Sequence, residues 1–134
     1  MQMRSLLHLW HCNGGAAFIT KANAERLWCG FVWMNPPFGG RNGLVPWLER
    51  FFAHGSGIAL VPDRTSAPWW QQFAPRAELA LFVAPKIKFI GADGMPGKSP
   101  AQGTMLMAMG TRGVAALHRA SNNGLGVLMA PQQF

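Results

Sequence analysis

Gly30-Phe31-Val32-Trp33-Met34-Asn35-Pro36-Pro37-Phe38 is the stretch on which the reading of this chain turns. Phe31 to Met34 is apolar without alternation, as in a strand buried on both faces of a helix-covered parallel sheet. Asn35 closes the run. Pro36 and Pro37 fix φ and remove N–H donors, which leaves a stiff, carbonyl-rich loop. The plain alternative is a proline-stiffened turn, since Asn-Pro opens many ordinary turns. The chemical reading gives each residue a task. The Asn35 side-chain oxygen, with a backbone carbonyl beside it, accepts hydrogen bonds from an exocyclic NH2 group. That draws the nitrogen lone pair out of ring conjugation and aims it at an electrophilic methyl group. Phe38 offers a face on which a flipped base stacks.

Working outward, Leu44, Trp47, Leu48, Phe51 and Phe52 have helical spacing over 44–53, with Pro46 in the first turn, where it is tolerated. Ile58 to Val61 is a second apolar strand, stopped by Pro62. Asp63-Arg64-Thr65 follows, and Ser66 is the expected N-cap of a helix over 67–73. Leu79 to Val83 is a third apolar strand. Lys86 to Ile90 alternates, which suits a strand with one wet face. Gly91 to Gly103 is a long loop, Thr104 to Met109 another apolar run, Val114 to Ala120 a helix, and Leu125 to Met129 a last strand. Residues 1–29 are irregular in pattern, apart from a turn at Asn13-Gly14-Gly15 and a short helix over 22–28. Buried strands alternating with helices predict a three-layer α/β fold with a mostly parallel sheet. Sites in such sheets lie outside the carboxyl ends of strands, so the Asn35 loop and the Asp63-Arg64-Thr65 loop should sit side by side on one rim.

The 134 residues fit one domain. Hydrophobic residues make up 49%, enough for a core, and charged residues only 13%, against about 25% in ordinary globular proteins. Twelve Lys and Arg oppose five Asp and Glu, for a net charge of +7, and that balance favours a polyanionic partner. His8, His11 and Cys12 lack a fourth ligand for a structural zinc site, so no metal is expected. Cys12 and Cys29 read as free thiols, which suits a reducing cytoplasm. Met1 to Ala17 resembles no signal peptide, and no apolar run is long enough to span a membrane.

Val32-Trp33-Met34-Asn35-Pro36-Pro37-Phe38-Gly39 resembles the catalytic segment of phage-type DNA N6-adenine methyltransferases. Trp47, then Leu60-Val61-Pro62-Asp63-Arg64-Thr65, Trp69-Trp70, Lys86-Ile87-Lys88-Phe89 and Ser99 to Met107 resemble that family's later segments in order. The series covers Thr20 to Met109, roughly two thirds of the chain. Residues 1–19 form a divergent N-terminal segment, 20–109 the family-like core, and 110–134 a C-terminal helix and tail. The resemblance implies a Rossmann-like methyltransferase fold, S-adenosylmethionine as methyl donor, and transfer to N6 of a flipped adenine in double-stranded DNA. It implies that Asn35 and the Pro36 carbonyl bind the amino group, that Pro37 stiffens the loop, that Phe38 stacks on the base, and that Asn35 also borders the cofactor. It places the protein in the cytoplasm of a bacterial host cell.

Relatives usually carry a Thr-Pro start, an aromatic-rich helix and a strand ending in Asp, and Met1 to Phe18 shows no equivalent. The expectation is therefore an N-terminally truncated relative with an incomplete sheet and cofactor site, exposing an edge that a homodimer would cover. The alternative functions are a catalytically inactive DNA-binding remnant, or methylation of another planar amino nitrogen in RNA guanine or protein glutamine. Arg64 is read as a partner of phosphate or cofactor carboxylate, or else of Asp63. Arg41, Lys86 and Lys88 are read as DNA-backbone contacts or as solvated surface. Trp69 and Trp70 are read as packing residues.

Overall fold

The computed structural model describes residues 16–21, 23–39, 43–88, 90, 93–95, 97 and 102–132. Among these residues six strands and three helices follow one another as β1 (Ala16–Ile19), β2 (Phe31–Met34), α1 (Val45–His54), β3 (Gly57–Pro62), α2 (Pro68–Phe73), β4 (Leu79–Val83), β5 (Thr104–Met109), α3 (Gly110–Asn122) and β6 (Gly126–Met129), with a 3-10 turn at Ala74–Arg76 after α2. The sheet order is β1-β2-β3-β5-β4-β6. β3 is buried along its whole length, as its unbroken apolar run requires.

The sheet is mixed, which corrects the mostly parallel sheet expected from the sequence. β1 pairs parallel with β2, and β2 with β3. β3 with β5, β4 with β5, and β4 with β6 are antiparallel. Thus β1, β2, β3 and β4 point one way, and β5 and β6 the other. The cause lies in the connections. Among the described residues no helix links β4 to β5, and β5 inserts between β3 and β4 as an antiparallel strand covered on both faces. Such a strand is as apolar as a parallel one, so composition cannot report its direction.

Helices cover both faces. α1 and α2 bring Leu48, Phe51, Phe52, Trp69 and Phe73 onto Val32, Met34, Ala59, Val61, Met105 and Met107. On the other face Leu117 of α3 packs with Ile58, Leu60, Leu79, Leu81, Leu106 and Ala108. α3 lies over β3, β4, β5 and β6. β2 is therefore covered unevenly: Val32 and Met34 are buried, while Phe31 and Trp33 are half-buried. The guanidinium of Arg112 sits 4.7 Å from the Phe31 ring centroid and closes part of that face. Among the described residues no helix is long and apolar enough to cross a membrane.

Other expectations shift as well. Residues 16–19, read as irregular, form edge strand β1. Of the helix expected over 22–28, the described residues 23–28 form none: 23–25 is a turn, with Asn23 N–H bonded to the Thr20 carbonyl and Arg26 N–H to the Asn23 carbonyl. The Asn23 side chain explains this, because it bonds the local backbone in competition with a helix. Ser66 is not a cap: Ala67 holds the N-cap position of α2 without a side-chain bond. Pro68 at the first helical position already removes one N–H that would need a partner. Lys86, Ile87 and Lys88 are not in a strand. α3 begins at Gly110, whose φ of +80° suits glycine, rather than at Val114. Cys29 is disulfide-bonded, so the free-thiol reading fails for it; thiol pairing depends on proximity in space, which sequence spacing does not give.

Candidate functional site

The carboxyl ends of β1, β2, β3 and β4 share one rim, because these four strands run in one direction. Asn35 leaves β2 there, and its N–H donates to the Ile19 carbonyl at 2.8 Å, tying the Asn35 loop to the end of β1. Pro36 is buried and Pro37 exposed; Asn35 and Phe38 are half-buried. Phe38 packs against both core clusters, so its ring anchors the loop as well as facing outward. Among the described residues the Asn35 side-chain amide has no hydrogen-bond partner, which leaves its oxygen for a ligand.

Phe38 stands between two hollows. One, of about 390 Å³, lies between the ends of β1 and β2 and is lined by Thr20, Lys21, Asn35, Pro36, Pro37 and Phe38. Its volume is within the range of about 300–1,000 Å³ typical of small-molecule sites. The other, of about 140 Å³, has Phe38, Gly39, Leu44, Pro62, Arg64, Trp69 and Gln102 around it. The Asn35 and Arg64 loops thus meet across this smaller hollow, as expected from two adjacent parallel strands.

The loop after β3 is tightly turned. Thr65 N–H donates to the Asp63 carbonyl at 2.9 Å and Ala67 N–H to the Arg64 carbonyl at 3.0 Å, while the Gln71 side-chain amide donates to the Thr65 carbonyl. Arg64 projects from this turn as an exposed side chain, and no hydrogen bond or ring holds its guanidinium among the described residues. Trp69 is buried and forms the back of the smaller hollow. Trp70 turns away from it and donates its indole N–H to Met105 Sδ at 2.9 Å. Lys86 and Lys88 follow β4 on the same rim, exposed, but neither lines a hollow beside Phe38. Arg41 lies outside the described residues.

The sequence reading missed Thr20 and Lys21. The loop that carries them is held by Asn23, whose side-chain oxygen accepts from Thr20 N–H at 2.8 Å and whose side-chain amide donates to the Phe18 carbonyl at 2.7 Å. The signal was Asn three residues after Thr, the spacing at which a side chain reaches back to a backbone N–H, as in a capping box. Farther from the rim, Arg50 donates to the Ala24 and Arg26 carbonyls and lies 4.5 Å from the Trp28 ring centroid. Burial pushes its pKa below the ordinary value, opposed by the nearby negative charge of Glu25. A third cavity, of about 490 Å³, lies between α2, β4 and β6, with Trp70, Phe82, Met105 and Met129 among its lining residues. It is apolar and lacks the converging polar groups of the rim.

No family model, curated protein or solved structure matches the chain. The functional reading therefore rests on the residues of the rim.

Proposed function

We propose that this protein is a DNA adenine N6-methyltransferase that uses S-adenosylmethionine. The observation that carries the reading is the Asn35 amide, without a hydrogen-bond partner among the described residues and bordering the 390 Å³ hollow on a stiff Pro36-Pro37 loop. The hollow's volume lies in the range of small-molecule sites, and it opens at the carboxyl ends of two parallel strands, where nucleotide-like ligands bind in open α/β sheets. Bound there, the donor supplies a methyl group on a cationic sulfur. The Asn35 oxygen and the Pro36 carbonyl accept the two N–H bonds of the target amino group. Those hydrogen bonds bring the nitrogen toward tetrahedral geometry and direct its lone pair at the methyl carbon. They strengthen as positive charge develops on nitrogen, which is how they favour the transition state over the ground state. The amino proton leaves afterwards, so no strong base is required beside Asn35. Phe38 supports the base from below, and its anchoring in the core fixes the height of that platform.

The rim also suits a nucleic-acid strand. From β1 to β4 it crosses four interstrand steps of about 4.8 Å, or ~19 Å, the axial length of about five nucleotides of one strand. Arg64 lies near its middle and Lys86 and Lys88 at one end. In the same reading a second copy would pair at edge strands β1 and β6, where Phe18, Val127 and Met129 are exposed.

Transfer of labelled methyl from S-adenosylmethionine to unmethylated double-stranded DNA tests the proposal. Incorporation into adenine by the native chain is expected, with a loss of about a hundredfold or more in Asn35→Ala. Folded protein that binds DNA but incorporates no label would leave the DNA-binding remnant. Label appearing only in RNA or protein would transfer the same chemistry to another amino group.

A further inference from the structure

Lys21 is the only charged side chain among the described residues that line the 390 Å³ hollow. Its position is not accidental to a loose loop. The Asn23 side chain, two residues on, reaches back to the backbone just before it, at Thr20 N–H and the Phe18 carbonyl. The Asn35 N–H then bonds the Ile19 carbonyl, so the strand end that bears Lys21 is fixed to the residue that faces the target amino group. Lys21 is exposed, and among the described residues its ammonium has no partner. A cation on the wall of a hollow that is otherwise uncharged among the described residues favours a ligand with an anionic group at one end.

We propose that Lys21 is a specificity-determining residue that binds the α-carboxylate of the methyl donor's amino-acid part. The inference rests on the methyl-transfer reading of the Asn35 hollow and names the group that orients the donor within it. With the carboxylate held on the β1 side, the rest of the donor extends along the hollow toward Asn35. A lysine ammonium suits the task as a compact point charge with three donors on a flexible stem, able to follow a carboxylate at an open site. The pairing takes the place of a glycine-rich phosphate-type cradle, for which the described residues around the hollow offer no equivalent.

Decarboxylated S-adenosylmethionine keeps the sulfonium, the methyl group and the adenosine and lacks only the carboxylate. Equilibrium binding of both compounds to the full chain, by calorimetry, gives a direct comparison. The native protein should bind S-adenosylmethionine about tenfold more tightly than the decarboxylated compound, the size expected of one charge-assisted contact. Lys21→Gln should abolish that preference by weakening S-adenosylmethionine alone, and Lys21→Arg should retain most of it. Equal binding of the two compounds by the native protein, or a preference that survives in Lys21→Gln, would overturn the assignment while leaving the methyl-transfer reading intact. A Lys21→Gln protein that keeps the preference but binds oligonucleotide with a shallower salt dependence would move Lys21 to a phosphate. No binding of either compound would overturn both proposals.

Discussion

Six cations among the described residues fall into two groups with opposite roles. Arg50, Arg76 and Arg112 lie on aromatic rings: Arg50 on Trp28, Arg76 at 5.1 and 5.5 Å from the ring centroids of Phe52 and Phe73, and Arg112 on Phe31. Each closes an edge of the core with a flat, weakly hydrated group. Lys21, Arg64 and Lys88 instead project from loops at the carboxyl ends of strands, exposed and without partners among the described residues. The net charge of +7 counts cations of both kinds alike, twelve Lys and Arg against five Asp and Glu. Its value as a sign of polyanion binding therefore depends on which cations are already occupied by the fold.

Substitutions on each side should break or sharpen this division. The largest effect belongs to Phe73→Ala. It empties a fully buried site, separates the stacked Phe52–Phe73 pair at 6.0 Å and removes part of the Arg76 seat, so a loss of about 3–5 kcal/mol is expected in denaturant unfolding. Arg50→Ala comes next. It removes two bonds to backbone carbonyls and one ring contact at a partly exposed position, and should cost about 1–2 kcal/mol. Arg64→Ala and Lys88→Ala should change stability by less than about 0.5 kcal/mol. Each should nevertheless lower the slope of log binding constant against log salt for DNA by roughly one unit. A rim cation whose removal unfolds the protein, or an Arg50 whose removal costs only DNA affinity, would erase the distinction.

Much of the fold could be read from local pattern, and what could not has physical causes. The apolar runs at 31–34, 58–61, 79–83 and 104–109 are strands because each is short, nearly unbroken and closed by Pro or Gly within two residues of its end, too short for a buried helix. Strand direction is set by how the connections run, and both directions bury the same side chains. β1 escaped notice because Ala16 and Ala17 carry little strand preference and the element is four residues long. Alternation in Lys86-Ile87-Lys88 suggested a strand, but a strand exists only where a neighbour accepts its hydrogen bonds. β5 and β6 already flank β4, whose pairing ends at Val83.

The candidate site was legible where function and turn chemistry share one segment. Asn35 to Phe38 announces a stiff loop after a strand, and the rule for strand ends places it on the rim beside Arg64. Thr20 and Lys21 join the same hollow only because β1 lies next to β2 with Ile19 opposite Met34. That neighbourhood spans fifteen positions of sequence and carries no local signature. Arg50 shows the converse: an unremarkable residue in a helix whose role appears only when Ala24 and Arg26 are folded back beside it.

The most direct test is a chemical-shift map of the isotope-labelled protein during titration with S-adenosylmethionine. The account predicts shifts at the backbone amides of Thr20, Lys21, Asn35 and Phe38 and at the Asn35 side-chain NH2, with Trp70 and Met129 unmoved. Shifts gathered around Trp70, Phe82 and Met129, or no shifts at all, would contradict it.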